Sequence, residues 1–180
     1  SNNYQFLTSH AAEEYLKNAD TLTVVRIMDG DFGPASAIVS SSDNSTSFTL
    51  ETLADGTIMN NESATATTNN ILTNGTVHNI RYEITNINKS KGTFNVLVRA
   101  GNDNIKRKQT LEQFNNVTLD PNSNNFISKI IGDQKQTVRT DGTTKYLQLS
   151  GSYANQSRFI RVKSITSPTI DYLDENGNVS

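Results

Sequence analysis

The feature that most constrains the fold of this sequence is a set of short apolar runs separated by polar stretches. Asn, Ser and Thr number 23, 18 and 22 of the 180 residues. Their side chains bond the neighbouring backbone, so they favour turns and edges over helix interiors. Hydrophobic residues make up only 34%. The core must therefore come from a few well-patterned elements, and strands are the elements that short alternating runs form.

Alternation of apolar and polar residues predicts most of the strands. Residues 47–53 alternate with period two, and in residues 93–99 the alternation changes phase after Val96. We predict strands at residues 21–27, 35–40, 47–53, 77–87, 93–99, 137–139, 144–150 and 159–165. Residues 88–92 and the pair Asp141-Gly142 are typical of hairpin turns.

Four further segments are predicted. Apolar residues at spacings of three and four predict a helix over residues 6–18. Thr110 and Gln113 fit a capping box, which predicts a short helix that turns Leu111 and Phe114 inward. Residues 126–131 fit either a strand or a helix. Residues 60–74 have few apolar side chains, so we expect a mobile loop there.

These elements predict an α+β fold: a β-dominated sandwich or barrel-like domain with two or three short helices. We expect one domain over residues 1–180, with a division into residues 1–40 plus 75–180 and a loop-rich part at 41–74 as an alternative. Both ends are interpreted as cuts in a longer polypeptide. The predicted core consists of Leu16, Leu22, Val24, Phe48, Leu50, Ile80, Tyr82, Phe94, Val96, Phe114, Leu119 and Ile160.

Composition argues against several partners. The net charge of −2 and the pI of about 5.7 provide no basic surface for nucleic acid. The absence of cysteine excludes disulfides, thiolate metal sites and a cysteine nucleophile. No apolar run approaches the ~20 residues that span a bilayer. We therefore expect neither a nucleic-acid nor a membrane partner.

No pattern of residues predicts catalysis, so no catalytic, cofactor-binding or metal-binding residue is assigned. His10 and His78 lack the spacing of a zinc pair, and no nucleophile elbow is present. Residues 31–33 spell a kinase motif without its partners, and we interpret them as a turn. Residues 171–177 depart from a calcium loop in their aspartate spacing and are interpreted as a solvated turn. The basic run Lys106-Arg107-Lys108 is interpreted as a solvated stretch before the short helix.

Several segments together resemble one family, the contractile phage tail sheath proteins of the T4-like type. Residues 10–27 (HAAEEYLKNADTLTVVRI) resemble a sheath helix that leads into a strand. Residues 48–51 (FTLE), followed by Gly56-Thr57 and Asn60-Asn61, are similar to a sheath strand and turn. The most specific segment runs from residues 92–99 (GTFNVLVR) through 114–127 (FNNVTLDPNSNNFI) to 131–133 (IGD), in the family's order of a strand, a short helix, a turn and the IGD end.

The resemblance covers most of residues 10–133 in pieces and implies an upstream, outer part of a sheath subunit. Such subunits stack as hexameric rings around a tail tube in an extended, metastable state. A baseplate signal releases them, and the sheath shortens and drives the tube through the host envelope. The implied partners are other sheath copies, tube proteins and baseplate proteins, and the implied location is the virion, assembled in the host cytoplasm. The resemblance implies no enzymatic activity, no cofactor and no metal.

The alternative function is an extracellular β-sandwich that binds carbohydrate or acts as an adhesin, since Asn, Thr and Tyr can line a sugar site. The aromatic content of 7%, with no Trp, argues against it. We expect these 180 residues alone to be monomeric, because the family's strand-exchanging C-terminal region has no counterpart here. The sequence also predicts no large exposed apolar patch after its strands are paired.

Overall fold

A computed structural model describes residues 7–24, 32–61 and 79–180. The chain divides into two units, Ser1–Phe32 and Gly33–Ser180. The elements in chain order are α1 (Leu7–Leu16), β1 (Ser36–Ser40), β2 (Thr46–Thr52), β3 (Met59–Asn61), β4 (Ile80–Asn88), β5 (Thr93–Ala100), β6 (Thr110–Thr118), α2 (Ile127–Ile131), β7 (Lys135–Asp141), β8 (Thr144–Ser150) and β9 (Ile160–Ile165).

The first unit contains α1, which confirms the predicted N-terminal helix. The predicted strand at residues 21–27 is wrong for its described part, because residues 21–24 have no regular structure. Leu16, Leu22 and Val24 are exposed rather than part of the core. Helical or strand spacing shows which side of an element can be buried, but it does not show whether another element covers that side.

The second unit contains two larger sheets and one separate hairpin. The first sheet has the order β1-β2-β9 with antiparallel neighbours, and the second has the order β3-β4-β5-β6. Only the β3–β4 pair is parallel among these described strands. β7 and β8 pair with each other as a two-stranded sheet. The β-dominated α+β class predicted from the sequence is confirmed.

One apolar core lies between the two larger sheets. Phe48 and Leu50 of β2 belong to the same buried cluster as Val96 and Val98 of β5. The Phe48 ring stacks on the Phe94 ring, with centroids 5.7 Å apart. The fully or nearly fully buried residues are Phe48, Leu50, Met59, Ile80, Tyr82, Val96, Val98, Val117, Phe126, Ile127, Ile131, Ile160 and Val162. Burial of these side chains is the main favourable term for this unit.

The predicted core residues of the second unit fall into two groups. Phe48, Leu50, Ile80, Tyr82, Val96 and Ile160 are buried, as predicted. Phe94, Phe114 and Leu119 are only partly buried and pack against the rim of the core. Val98 is buried in phase with Val96, and a register shift between Phe94 and Val96 replaces the predicted phase change.

Most predicted strands of this unit are confirmed, with ends shifted by a few residues. The turn at 88–92 joins β4 to β5, and Asp141-Gly142 lies in the turn between β7 and β8. The ambiguous segment 126–131 contains helix α2. Residues 62–74 of the predicted mobile loop lie outside the described residues.

The predicted helix at 110–114 is wrong, because these residues begin strand β6. Phe114 and Val117 both pack on the core, where they pair with Val96 and Phe94 of β5 on either side of a register shift. A capping box is a local pattern worth about 1 kcal/mol. A full strand ladder with a buried face outweighs it, since tertiary context routinely overrides local propensity.

Gly132 ends α2 at a close crossing of two chain segments. Its φ is 102°, and a Cβ there would lie 2.3 Å from Cα of Asn155. Only glycine accepts both constraints. The next residue, Asp133, accepts hydrogen bonds from the backbone N–H groups of Ser152 (2.9 Å) and Tyr153 (2.8 Å). The Ile131-Gly132-Asp133 motif therefore fastens the loop after β8 to the end of α2.

Removing the Phe48 ring should strongly destabilise the protein. The side chain is 2% exposed and contacts both sheets, so Phe48→Ala should lower the free energy of unfolding by about 3–5 kcal/mol. Chemical denaturation measures this. Ile87→Ala, at a side chain 66% exposed, is the control and should change stability by less than about 0.5 kcal/mol. Equal losses in both variants would mean that Phe48 is not at the centre of the core.

Candidate functional site

A cluster of buried charges lies on β4 and β5, on the face away from the apolar core. Arg81 of β4 is paired with Arg99 of β5 in the strand register, and both are fully buried. Two like charges opposite each other destabilise a sheet unless a counter-charge joins them. Asp103, in the loop between β5 and β6, supplies that charge and is itself buried. We name Arg81, Glu83, Arg99, Asp103 and Lys108 the Arg99 cluster.

The Arg99 guanidinium binds Asp103 with two hydrogen bonds. Nε donates to Oδ2 at 2.7 Å, and Nη2 donates to Oδ1 at 2.9 Å. Nη1 donates to Glu83 at 2.8 Å, and Lys108 also donates to Glu83 at 2.7 Å. Arg81 Nη1 lies 3.5 Å from Asp103 Oδ1. Fork-shaped arginine–carboxylate pairing of this kind is directional as well as strong.

The electrostatics of this cluster indicate a structural role. Burial alone would lower the pKa of Arg99, but hydrogen bonds and charge from Asp103, joined by Glu83, raise it. Asp103 also accepts a hydrogen bond from the backbone N–H of Gln109 at 3.0 Å. Asp103 therefore ties the loop to the strand through charge-assisted hydrogen bonds.

The basic run 106–108 is exposed, as expected, but it does not precede a helix. It belongs to the loop that returns over the Arg99 cluster to begin strand β6. Lys108 pairs with Glu83. Asn104 Oδ1 accepts a hydrogen bond from the backbone N–H of Arg107 at 2.9 Å. The run therefore helps to close this loop.

A second charged cluster lies on the outer face of the β2–β9 pair. Glu51 is in register with Arg161, and both are buried. Arg161 donates to Glu51 through Nε at 2.9 Å and to the backbone oxygen of Asp133 at 3.0 Å. Lys163 lies 3.1 Å from the other Glu51 oxygen. We name Glu51, Arg161 and Lys163 the Glu51 cluster.

A pocket of about 350 Å³ lies against the Glu51 cluster. Its lining includes Pro34, Leu53 and Gln134 beside Glu51 and Arg161. Burial alone would raise the pKa of Glu51, but hydrogen bonds from Lys163 and Arg161 outweigh this effect and lower it. Both Glu51 oxygens are thus engaged by cations. The pocket is polar, but its most buried charges bind each other.

A groove of about 370 Å³ lies where the residue 171–177 turn meets β5 and the end of β6. Tyr172 is the aromatic residue among its described lining residues. Its hydroxyl donates to the backbone oxygen of Lys89, and its ring packs against Gly92, where a Cβ would lie 2.4 Å from the ring. Gly92 therefore covers part of the ring that a sugar would stack on.

The other sequence motifs are not brought together into a site. His10 is exposed on α1, while His78 and Asp31 lie outside the described residues. In the 171–177 segment, the Asp174 carboxylate accepts hydrogen bonds from the backbone N–H groups of Asn176 and Asn178. Within the described ranges, no group of three or more metal-binding side chains exists, and no helix is long and apolar enough to cross a membrane.

The β7–β8 hairpin exposes a small apolar strip. Val138, Leu147 and Leu149 lie on one face of it and are 62%, 64% and 56% exposed. Val138 is paired with Leu147 across the strands. We name these three residues the hairpin strip. A two-stranded hairpin has no second layer to cover its apolar face, and alternation alone does not show this.

Comparisons with family models, curated proteins and solved structures find no match to this chain. The resemblance to tail sheath proteins therefore stays a prediction from the sequence motifs.

Sequence reasoning missed both charged clusters. Alternation places Arg81 and Glu83 on the strand face opposite Ile80 and Tyr82, but it does not show that Arg81 is buried there. Arg99 and Asp103 are only four positions apart, but pairing across a strand end and a loop leaves no recognisable spacing. The exact in-register pairing of Glu51 with Arg161 joins residues 110 positions apart.

Asp103→Asn should lower the free energy of unfolding by about 3–5 kcal/mol, since it leaves two buried arginines without their shared counter-charge. Arg99→Met should partly compensate, with a coupling energy of about 1 kcal/mol or more in a double-mutant cycle. Chemical denaturation of the wild type, the two single variants and the double variant measures this coupling energy. The matched control is Glu14→Gln, which removes an exposed ion pair with Lys17 and should cost less than about 1 kcal/mol. If the losses of stability in the two single variants simply add in the double variant, the pairing of Asp103 with Arg99 is contradicted.

Stability should fall in acid partly through Glu51. Because the folded state lowers its pKa below the ordinary 4.5, the unfolded state binds the proton more readily. The resulting stabilisation is complete above that ordinary value and is lost as the pH falls through the lowered pKa. The free energies of unfolding of wild type and Glu51→Gln are compared from about pH 7 to about pH 3. The difference between them should become smaller as the pH falls. A difference in the free energy of unfolding that does not change with pH would contradict this contribution of Glu51.

Proposed function

We propose that this chain is a structural domain of a contractile tail sheath subunit, from its upstream and outer part. The observation that carries the proposal is the ordered series of motifs between residues 10 and 133. Its most specific run covers most of β5, the second half of β6 and the two ends of α2, and these elements enclose one side of the core. The motif residues Gly132 and Asp133 have structural roles in this run. Motif residues that stabilise the fold fit a domain with a structural function.

The architecture supports a subunit that moves as a rigid body. In the proposed mechanism, sheath copies exchange an extended packing for a contracted one, and contacts between neighbours spread the change. A tightly packed core resists continuous deformation and transmits displacement. The core between two sheets and the ion pairs on their outer faces provide such a body. The function requires no catalytic residue, metal or cofactor.

The proposed partners are other copies of the subunit, the tail tube and the baseplate, in a virion assembled in the host cytoplasm. The binding-module alternative has less support, because Tyr172 in the described groove already packs against Gly92. The charge balance also gives no reason to propose nucleic acid as a partner.

Electron microscopy of the full-length protein tests this proposal. Negative-stain images should show rings or long tubes that shorten and widen on destabilisation of the extended state. The 180-residue chain, which resembles only part of a sheath subunit, is the control and should show neither. Full-length protein that remains as dispersed particles under all assembly conditions would contradict the proposal, and retention on a glycan column would favour the alternative.

The isolated chain should be monomeric at micromolar concentration. Interfaces that bury well below about 1,000 Å² rarely hold at such concentrations, and the hairpin strip is a small surface. Light scattering should give the mass of one chain, 19.8 kDa. A stable hexamer would instead place the ring contacts within these residues and would contradict the assignment to the outer part.

A further inference from the structure

The β7–β8 hairpin presents an apolar strip together with positive charge. Besides Val138, Leu147 and Leu149, its strands carry Lys135, Arg139 and Lys145 against one carboxylate, Asp141. These four charged side chains are exposed. In the strand register Lys145 lies on the face of the hairpin strip, whereas Lys135 and Arg139 lie on the opposite face. An exposed apolar strip on a hairpin with net positive charge is typical of an interaction surface. The complementary surface should be apolar and acidic.

Residues 170–179 form such a surface, which we name the acidic segment. It carries Asp171, Asp174 and Glu175 and no basic residue. Ile170, Leu173 and Val179 are exposed large hydrophobic residues of the same segment.

The acidic segment has an ordered local structure. Leu173 and Val179 face each other in an antiparallel bridge, and the Asp174 carboxylate caps the turn between them. The hydrogen bond from the Asn178 backbone keeps the pKa of Asp174 below its ordinary value. The turn therefore holds Leu173 and Val179 opposite each other.

We propose that the hairpin strip of one copy binds the acidic segment of a second copy of this chain. Both surfaces lie on the same chain, both are exposed within it, and their charges are opposite. A contact between two different surfaces is head-to-tail, so it leaves one of each unused and generates rings or filaments. The inference rests on the proposed function, since it names a contact for assembly of identical subunits.

This contact should be weak between isolated chains and effective in an assembly. A strip of three side chains buries little area, which agrees with a monomer at micromolar concentration. Where neighbouring subunits are already held together, each further contact forms at a high effective concentration. Like charges disfavour the pairing of two hairpins with each other, because each hairpin is basic.

Directed cross-linking tests this contact, because the natural chain has no cysteine. Leu147→Cys and Val179→Cys are prepared as two proteins, mixed at about 1 mM, where weak contacts are populated, and oxidised. The disulfide-linked mixed dimer should exceed by about tenfold that formed by Ile87→Cys with Val179→Cys. Ile87 is similarly exposed but lies outside both surfaces. Circular dichroism checks that all variants are folded.

Charge reversal separates a specific contact from mere exposure. Lys145→Glu in the hairpin partner should reduce the mixed dimer several-fold, and Glu175→Lys in the other partner should restore it. Added salt should lower the yield of the natural pair, since the attraction between exposed charges is screened.

Equal cross-linking at Ile87, dominant Leu147–Leu147 dimers, or no rescue by Glu175→Lys would each overturn the contact. Its failure is distinguishable from failure of the proposed function. Full-length tubes without the specific cross-link would contradict only the contact, whereas the cross-link without tubes would support the contact and contradict the sheath.

Discussion

The structure of the larger unit depends on neutralising two arginines that face each other across β4 and β5. Arg81 and Arg99 are fully buried on the outer side of the sheet, where unpaired charge would cost several kcal/mol. Asp103 can meet them only if the loop after β5 folds back over the sheet. The same carboxylate binds the backbone of Gln109, one residue before β6 begins. The ion pairs therefore determine where the fourth strand of this sheet starts.

The other sheet has an analogous arrangement. Arg161 joins Glu51 on the neighbouring strand and also donates to the backbone of Asp133, just after α2. Asp133 in turn holds the chain after the β7–β8 hairpin. The apolar core fastens the two sheets to each other, and the charged clusters fasten loops to the outer faces of the sheets. Such a domain suits transmission of movement between neighbours, because it changes position more readily than shape.

The sequence predicted strands where burial on one face imposes period-two alternation, as in Phe48 and Leu50 or Ile80 and Tyr82. It failed where a distant partner decides the outcome. The Thr110–Gln113 capping box is a sound local signal, but pairing with β5 made it a strand. Leu16 and Val24 have core-like spacing and remain exposed, while Arg81 has surface-like spacing and is buried. Coverage of an element by another is a non-local property, and neither alternation nor propensity reports it.

Amide hydrogen exchange at Gln109 tests the central claim most directly. If the Arg99 cluster holds the loop to the sheet, the Gln109 amide should exchange as slowly as amides of the core strands, through global unfolding. In Asp103→Asn, the Gln109 amide should exchange much faster than in the natural protein. The Val98 amide of the same variant should stay more protected than the Gln109 amide. Rapid exchange of Gln109 in the natural protein, at the rate of an open loop, would show that the cluster does not determine this part of the fold.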